Sequence, residues 1–247
     1  MTVRNPGIFS VLIGILITSS LASAQAPATM PVYTGTLGGG LALTNGNTDT
    51  RNFNLTGAIL RDPKTRNVMK GTASYLRGTQ SDILNLDRTT INLRDEYAVS
   101  SRVFTFGQVD YVRDQFKRII FFWAPTAGVG YKLFNTDATQ FIVDGGAGGV
   151  LEKNPGIESS KSGSVIGGQR FQHKLSSTAI LTESLSSIWK TKDFDDSLTN
   201  FSAGITTSVV GKIQLKVEFI DSYKNKPPKV EVKKNDTAFV STFVVKF

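Results

Sequence analysis

The end of the chain, Asn235 to Phe247, alternates with period two. Phe239, Ser241, Phe243, Val245 and Phe247 share one parity, and Ala238, Val240, Thr242, Val244 and Lys246 share the other. Such alternation places each set on its own face of a β-strand. One face carries three aromatic rings and the chain stops on the last of them, which fits a strand whose outer face meets lipid with a ring at the interface. The pattern recurs upstream. Ile213, Leu215, Val217 and Phe219 oppose Gln214, Lys216 and Glu218, while Thr89, Ile91 and Leu93 oppose Arg88, Asn92, Arg94 and Glu96. Trp123, Ala127, Val129 and Tyr131 oppose Ala124, Thr126, Gly128, Gly130 and Lys132, and Phe201, Ala203 and Ile205 oppose Ser202, Gly204 and Thr206.

The full pattern predicts strands over Val32–Thr44, Thr50–Arg61, Asn67–Leu76, Leu86–Tyr97, Val103–Arg113, Ile120–Leu133, Gln140–Leu151, Gly163–His173, Ala179–Trp189, Leu198–Val209, Ile213–Tyr223 and Asp236–Phe247. These are about twelve strands of roughly ten to fourteen residues, where a tilted membrane strand needs about nine to eleven and a soluble strand runs to about five or six. Short turns occupy every second connection: Asp62 to Thr65, Val99 to Ser101, Asn135 to Asp137, Leu175 to Ser177 and Val210 to Lys212. Mostly longer polar links alternate with them: Arg77–Asn85, Asp114–Lys117, Lys153–Lys161, Lys190–Ser197 and Lys224–Lys234. The tight exception is Asn45-Gly46-Asn47-Thr48, a strong hairpin signal.

Short turns on one rim and longer loops on the other describe an up-and-down barrel with both termini on the short-turn side. The aromatic residues agree. Tyr75, Tyr111, Trp123, Trp189 and Tyr223 fall beside the longer loops; Tyr33, Tyr97 and Tyr131 fall beside the short turns, with Phe141, Phe171 and Phe247 near them. Two girdles of amphipathic rings belong at two membrane–water interfaces. The expected fold is therefore all-β, an antiparallel up-and-down transmembrane β-barrel of about twelve strands, with the apolar parity facing lipid and the polar parity facing the lumen. Arg88, Arg94, Glu96, Lys216 and Glu218 would line that lumen.

Three stretches fit this pattern less simply. Pro125 lies inside a strand that needs neighbours on both sides, which predicts a bulge there. Glu183 shares parity with Leu181 and Leu185, leaving the facing of that strand open. The run Gly145 to Gly149 permits either sharp strand bending or close approach of whatever fills the lumen.

Composition narrows the setting. The chain has 247 residues, no Cys, one His and a formal net charge of +8. Arg4, the apolar run Ile8 to Thr18 and the small residues Ala22-Ser23-Ala24 form an export signal, with cleavage expected after Ala24. That run is shorter than the roughly twenty residues a spanning helix needs. The domain reading is a signal peptide over 1–24, a short tail over 25–31 and the barrel over 32–247. Without Cys there are no disulfides, thiolate metal sites or thiol nucleophiles. Anionic lipid headgroups, and not nucleic acid, are the natural partners of the basic surface.

Several of these stretches resemble one family. Leu43 to Thr50 resembles its "SGNTDT" opening hairpin, with Asn45 in place of the usual Ser or Gly. Phe106-Gly107 through Tyr111-Val112-Arg113-Asp114-Gln115-Phe116 resembles its "FG…YxRDxF" strand, and Gly128 to Leu133 its "GxGYxL" strand. The chain from about Gly35 to Phe247 is thus similar to the YdiY-like "salt-induced outer membrane protein" family, domain of unknown function 481. The resemblance implies an outer membrane location and supplies no substrate and no catalytic residues. The closing strand also resembles the C-terminal signature that barrel assembly machinery reads, which makes that machinery an expected partner through Phe247.

Candidate chemistry is sparse. Acyl transfer needs a Ser–His pair with an acidic orienter, but His173 lies beside the short turn Leu175-Ser176-Ser177, away from outer-leaflet substrates. Asp193, Asp195 and Asp196 are spaced for Ca²⁺ yet lack an ordered set of further oxygen ligands. Asp49 is read as a turn stabiliser. No catalytic residue, metal or cofactor is assigned. Lys224, Lys226, Lys229, Lys233 and Lys234, with Pro227-Pro228 between, form a basic loop suited to lipopolysaccharide phosphates. The expected protein is a monomeric, non-enzymatic bacterial outer membrane barrel, either a narrow channel or a closed barrel for envelope integrity under salt stress. A soluble periplasmic β-barrel binding protein and a lipid-modifying outer membrane enzyme are the alternatives.

Overall fold

The computed structural model describes residues 32–44, 50–229 and 231–247. The expected signal peptide and tail, the hairpin signal at Asn45 to Thr48 and Asp49 lie outside the described residues. Twelve strands follow in order: β1 (Tyr33–Thr44), β2 (Thr50–Arg61), β3 (Asn67–Gln80), β4 (Ile83–Ala98), β5 (Val103–Asp114), β6 (Ile119–Asn135), β7 (Thr139–Lys153), β8 (Ser160–Lys174), β9 (Ala179–Lys190), β10 (Asp193–Val210), β11 (Ile213–Lys224) and β12 (Asn235–Lys246). Each pairs antiparallel with its chain neighbours, and β1 pairs with β12 to close the barrel. Closure leaves no sheet edge running free around the wall, the condition for spanning hydrocarbon with strands.

The alternation has the sense expected of a membrane barrel. Leu37, Phe53, Leu55, Ile59, Leu93, Val129, Phe239 and Phe243 are exposed on the outer surface, while Arg88, Arg94, Glu96 and Gln108 are buried inside it. Rings gather at both rims: Tyr111 against Trp123 at 5.2 Å and Phe53 against Tyr75 at 6.2 Å on the loop side, and Phe141 against Phe171 at 6.1 Å on the other, between ring centroids.

Several expectations need correction. Two of the predicted longer loops are hairpins that continue as paired strand. Between β3 and β4 only Ser81 and Asp82 remain, both at positive φ (50° and 61°), as a two-residue primed turn requires. Between β9 and β10 only Thr191 and Lys192 remain. Polar side chains had marked these segments as loops, but backbone pairing beyond the membrane needs no apolar face. Pro125 carries no bulge. The β6–β7 register is the same at Trp123↔Leu151 and Thr126↔Gly148; the pairs between them are simply omitted, and the irregularity of that strand lies at Lys132/Phe134. Pro lacks the N–H for one ladder bond, and here the ladder skips a rung without shifting. Glu183 is settled as outward-facing, because it pairs with Phe171 and Ala203 in the row opposite to inward Ile188 and Ser184.

The β1–β12 seam is short. Its register runs from Thr36↔Lys246 to Gly39↔Phe243, four pairs, against twelve between β1 and β2. Phe247 extends it: its N–H donates to Gly35 O (3.0 Å), its carbonyl accepts from Gly35 N–H (2.9 Å), and its ring covers the Gly35 Cα where a Cβ would stand. Beyond the paired stretch, Asn54 reaches under β1 and donates to Ser241 O at 3.2 Å, while Thr242 Oγ1 donates to Asn54 Oδ1 at 3.0 Å. Removing Phe247 should therefore lower the yield of folded, heat-modifiable barrel in lipid vesicles without any assembly factor. Normal refolding of the truncated chain in vesicles would confine the residue to recognition during assembly.

Candidate functional site: the barrel lumen

The two halves of the lumen differ. Toward the loop rim, inward Val112, Ile119, Phe122, Val150, Ile166, Ile188 and Leu198 are all buried and belong to one cluster drawn from β5 to β10. These inward apolar residues pack on one another along that side of the wall. Above it sit buried charges. Lys224 Nζ lies 2.9 Å from both Glu152 Oε2 and Asp196 Oδ1; Lys190 Nζ lies 2.6 Å from Glu152 Oε2 and 2.5 Å from Asp196 Oδ2. These bonds run from β11 and β9 across to β7. Asn154 Nδ2 donates to the remaining Glu152 oxygen at 3.1 Å. Beside them Arg88 on β4 donates to Asn200 on β10 at 2.5 Å, and Lys117 Nζ donates to Lys234 O and pairs with Asp236 on β12, both at 2.9 Å. These contacts tie β7 to β9, β10 and β11, β4 to β10, and the β5–β6 turn to β12.

Toward the rim that carries both termini, charge gathers on one wall. Arg94 on β4 is the hub. Its Nε donates to Glu96 Oε1 at 2.8 Å, its Nη2 to Asp144 Oδ2 at 2.8 Å, and its Nη1 to Gln108 Oε1; its guanidinium lies 3.7 Å from the Phe106 ring centroid. Arg170 on β8 joins Glu96 and Asp144 at 2.9 and 3.2 Å, and Lys70 on β3 pairs with Glu96 at 2.6 Å. Asp110 accepts from Asn92 and Gln108, both at 2.7 Å. The facing wall is small and hydroxylated, with Thr182, Ser184, Ser202 and Thr206 half-buried. Thr72, also inward, is exposed. This half is polar and only partly exposed, since Arg94, Glu96 and Gln108 are themselves buried.

All five residues expected to line the lumen do face it, but in three separate groups. Arg94 and Glu96 share the hub, Lys216 pairs with Glu218 at 2.8 Å on β11, and Arg88 stands among the buried charges of the upper half. Sequence reasoning missed Lys70, Asp144 and Arg170. Each is a charge at lumenal parity within two residues of a glycine (Gly71, Gly145 and Gly168), and that was the available signal. The basic loop needs one correction: Lys224 is 1% exposed and is bound to Glu152 and Asp196 inside the barrel, so it is not part of the exposed basic surface. Lys226, Lys229, Lys233 and Lys234 are exposed. Lys226 already pairs with Asp193 at 2.5 Å, and its hydrogen bond holds the Asp193 carboxyl below its usual range.

His173 faces outward near the termini-bearing rim, its Nδ1 2.8 Å from Thr139 Oγ1. Among the described residues no group of three His, Cys, Asp or Glu could hold a metal ion, and the acids of the 193–196 run are engaged by lysines.

Comparison with known proteins places this geometry in a wider setting. The family model described as "Protein of unknown function, DUF481" matches residues 38–247. No curated protein matches the chain. Among solved structures, the translocator domain of the autotransporter NalP from Neisseria meningitidis is 11% identical, with 90% of each chain covered and a TM-score of 0.49. The NanC porin is 8% identical, covering 86% of this chain and 97% of its own, with a TM-score of 0.48. The CymD monoaromatic hydrocarbon channel is 9% identical over 88% of each chain, with a TM-score of 0.36.

Proposed function

This chain belongs to DUF481, a family described as of unknown function, and we propose that it is a non-enzymatic outer membrane barrel, shut at rest, that serves envelope integrity under salt or osmotic stress. The single observation behind this reading is the buried upper lumen: an apolar layer from β5 to β10 beside a cluster of buried ion pairs. An open porin needs a continuous wet path, and this layer interrupts it. The reading includes export with cleavage after Ala24, insertion by assembly machinery through the strand ending at Phe247, and a monomeric state in the bacterial outer membrane. Planar-bilayer recording tests it: the purified protein should be electrically silent. Regular conductance steps from wild-type protein would overturn the shut state.

A narrow gated channel is the second reading, favoured by the charged lumen wall around Arg94. Its plug consists of side chains alone, which can rearrange without unfolding the wall. Brief voltage-driven openings would support it.

The exposed lysines at the loop rim would meet lipopolysaccharide phosphates. Because Lys226 is already paired, Lys229, Lys233 and Lys234 should carry this contact. Their joint replacement by Gln should weaken lipopolysaccharide binding severalfold while replacement of Lys226 alone has little effect. Equal binding by the triple variant would remove the idea.

A further inference from the structure

An outward-facing feature near the termini-bearing rim has no part in the lumen. Four rings cross three adjacent strands there. Phe134 and Phe141 stack at 6.5 Å, Phe141 meets Phe171 edge-on at 6.1 Å, and Phe171 stacks on His173 at 6.3 Å. On the other side of Phe171 stands Glu183 on β9, and Phe134, Phe141, Phe171 and Glu183 border a cleft of about 510 Å³. Glu183 Oε1 accepts from Gln169 Nε2 at 2.9 Å. Among the described residues its other oxygen has no hydrogen-bond partner, and no Lys or Arg pairs with it.

Its depth is fixed by the girdles. The spacing that separates Trp123 from Tyr131 on β6 leads from Trp189 to Leu181 on β9. Glu183 therefore stands one outward position inside the lower girdle, within reach of the headgroups there. A carboxylate on a lipid-facing surface is costly unless it meets a cation. The protein supplies none, so the bilayer must. Aromatic faces beside the carboxylate add attraction for that cation.

We propose that this cleft binds the ammonium headgroup of an aminophospholipid, phosphatidylethanolamine, from the leaflet on the termini-bearing side, with Glu183 as its counter-ion and the faces of Phe134, Phe141 and Phe171 around it. This rests on the outer membrane reading. The test is native mass spectrometry of the mature protein released from vesicles of equal phosphatidylethanolamine and phosphatidylglycerol. Wild type should retain the ethanolamine lipid over the glycerol lipid by about fivefold, from one partly desolvated cation–carboxylate and cation–π contact. Glu183→Gln should abolish that preference while glycerol-lipid adducts stay unchanged. Should that variant misfold, vesicles in which the lipid is N-acylated, and so uncharged at nitrogen, give the same comparison on wild type. Retention of the N-acylated lipid equal to that of the parent overturns the proposal, as does equal retention of both headgroups by wild type. A protein that fails to insert into vesicles overturns the outer membrane reading along with it, whereas insertion without preference overturns this site alone.

Discussion

Glu152→Ala should destabilise the barrel by roughly 3–5 kcal/mol, the usual result of breaking a buried ion-pair cluster on one side. Glu152 is 2% exposed and serves both Lys190 and Lys224, themselves 7% and 1% exposed. Removing the carboxylate leaves these two buried ammonium groups to share Asp196 alone. The cost should appear as a lower urea midpoint for unfolding from vesicles. Adding Lys224→Met should recover part of the loss, because one uncompensated charge disappears and a methionine packs against Phe122, whose ring now lies 5.8 Å from the Lys224 ammonium. The same single variant should convert electrical silence into intermittent conductance, since water follows an unpaired charge into the plug. An unchanged urea midpoint for Glu152→Ala would mean that this ion-pair cluster contributes nothing to the stability of the barrel.

Gly148→Val should fail to assemble. A Cβ at Gly148 would lie 2.0 Å from Pro125 O and 2.7 Å from the Thr126 Cα, both backbone atoms of β6 that cannot swing aside. Gly146 faces Ala127 O at 2.4 Å in the same sense, and Gly128 faces Gly145 O at 2.2 Å. Within the run Gly145 to Gly149, Gly146 and Gly148 thus leave room on β7 for the close approach of the β6 backbone, beside the rung that Pro125 skips. Overpacking against side chains costs about 1–3 kcal/mol, and against backbone the cost should exceed that. The predicted readout is loss of the heat-modifiable form on electrophoresis. Gly149→Ala is the control, because its Cβ would sit 3.7 Å from the nearest atom, Ser162 O, in ordinary contact. Equal assembly of Gly148→Val and Gly149→Ala would end this account of the close approach.

The wall of this barrel was legible in the amino-acid order. Which residues point to lipid and which to the lumen depends only on each residue and its neighbours two positions away, so Ile213 to Phe219 against Gln214 to Glu218 sufficed to orient β11. Strand number, the girdles at Trp123 and Tyr131, and the common rim of the termini follow from the same local rule. The contents of the lumen were not legible. Which inward side chains meet across the bore depends on strand tilt and stagger, quantities that alternation does not carry. Lys224 illustrates the difference. It continues the lumenal parity of Gln214, Lys216 and Glu218, yet its polar neighbours marked it as loop, and only the register of β11 against β7 through the closed wall brings it to Glu152. The same geometry gathers Lys70, Arg94, Asp144 and Arg170 from strands far apart in the chain. A period of two sets the facing of a side chain; the shear of the closed cylinder sets its partner.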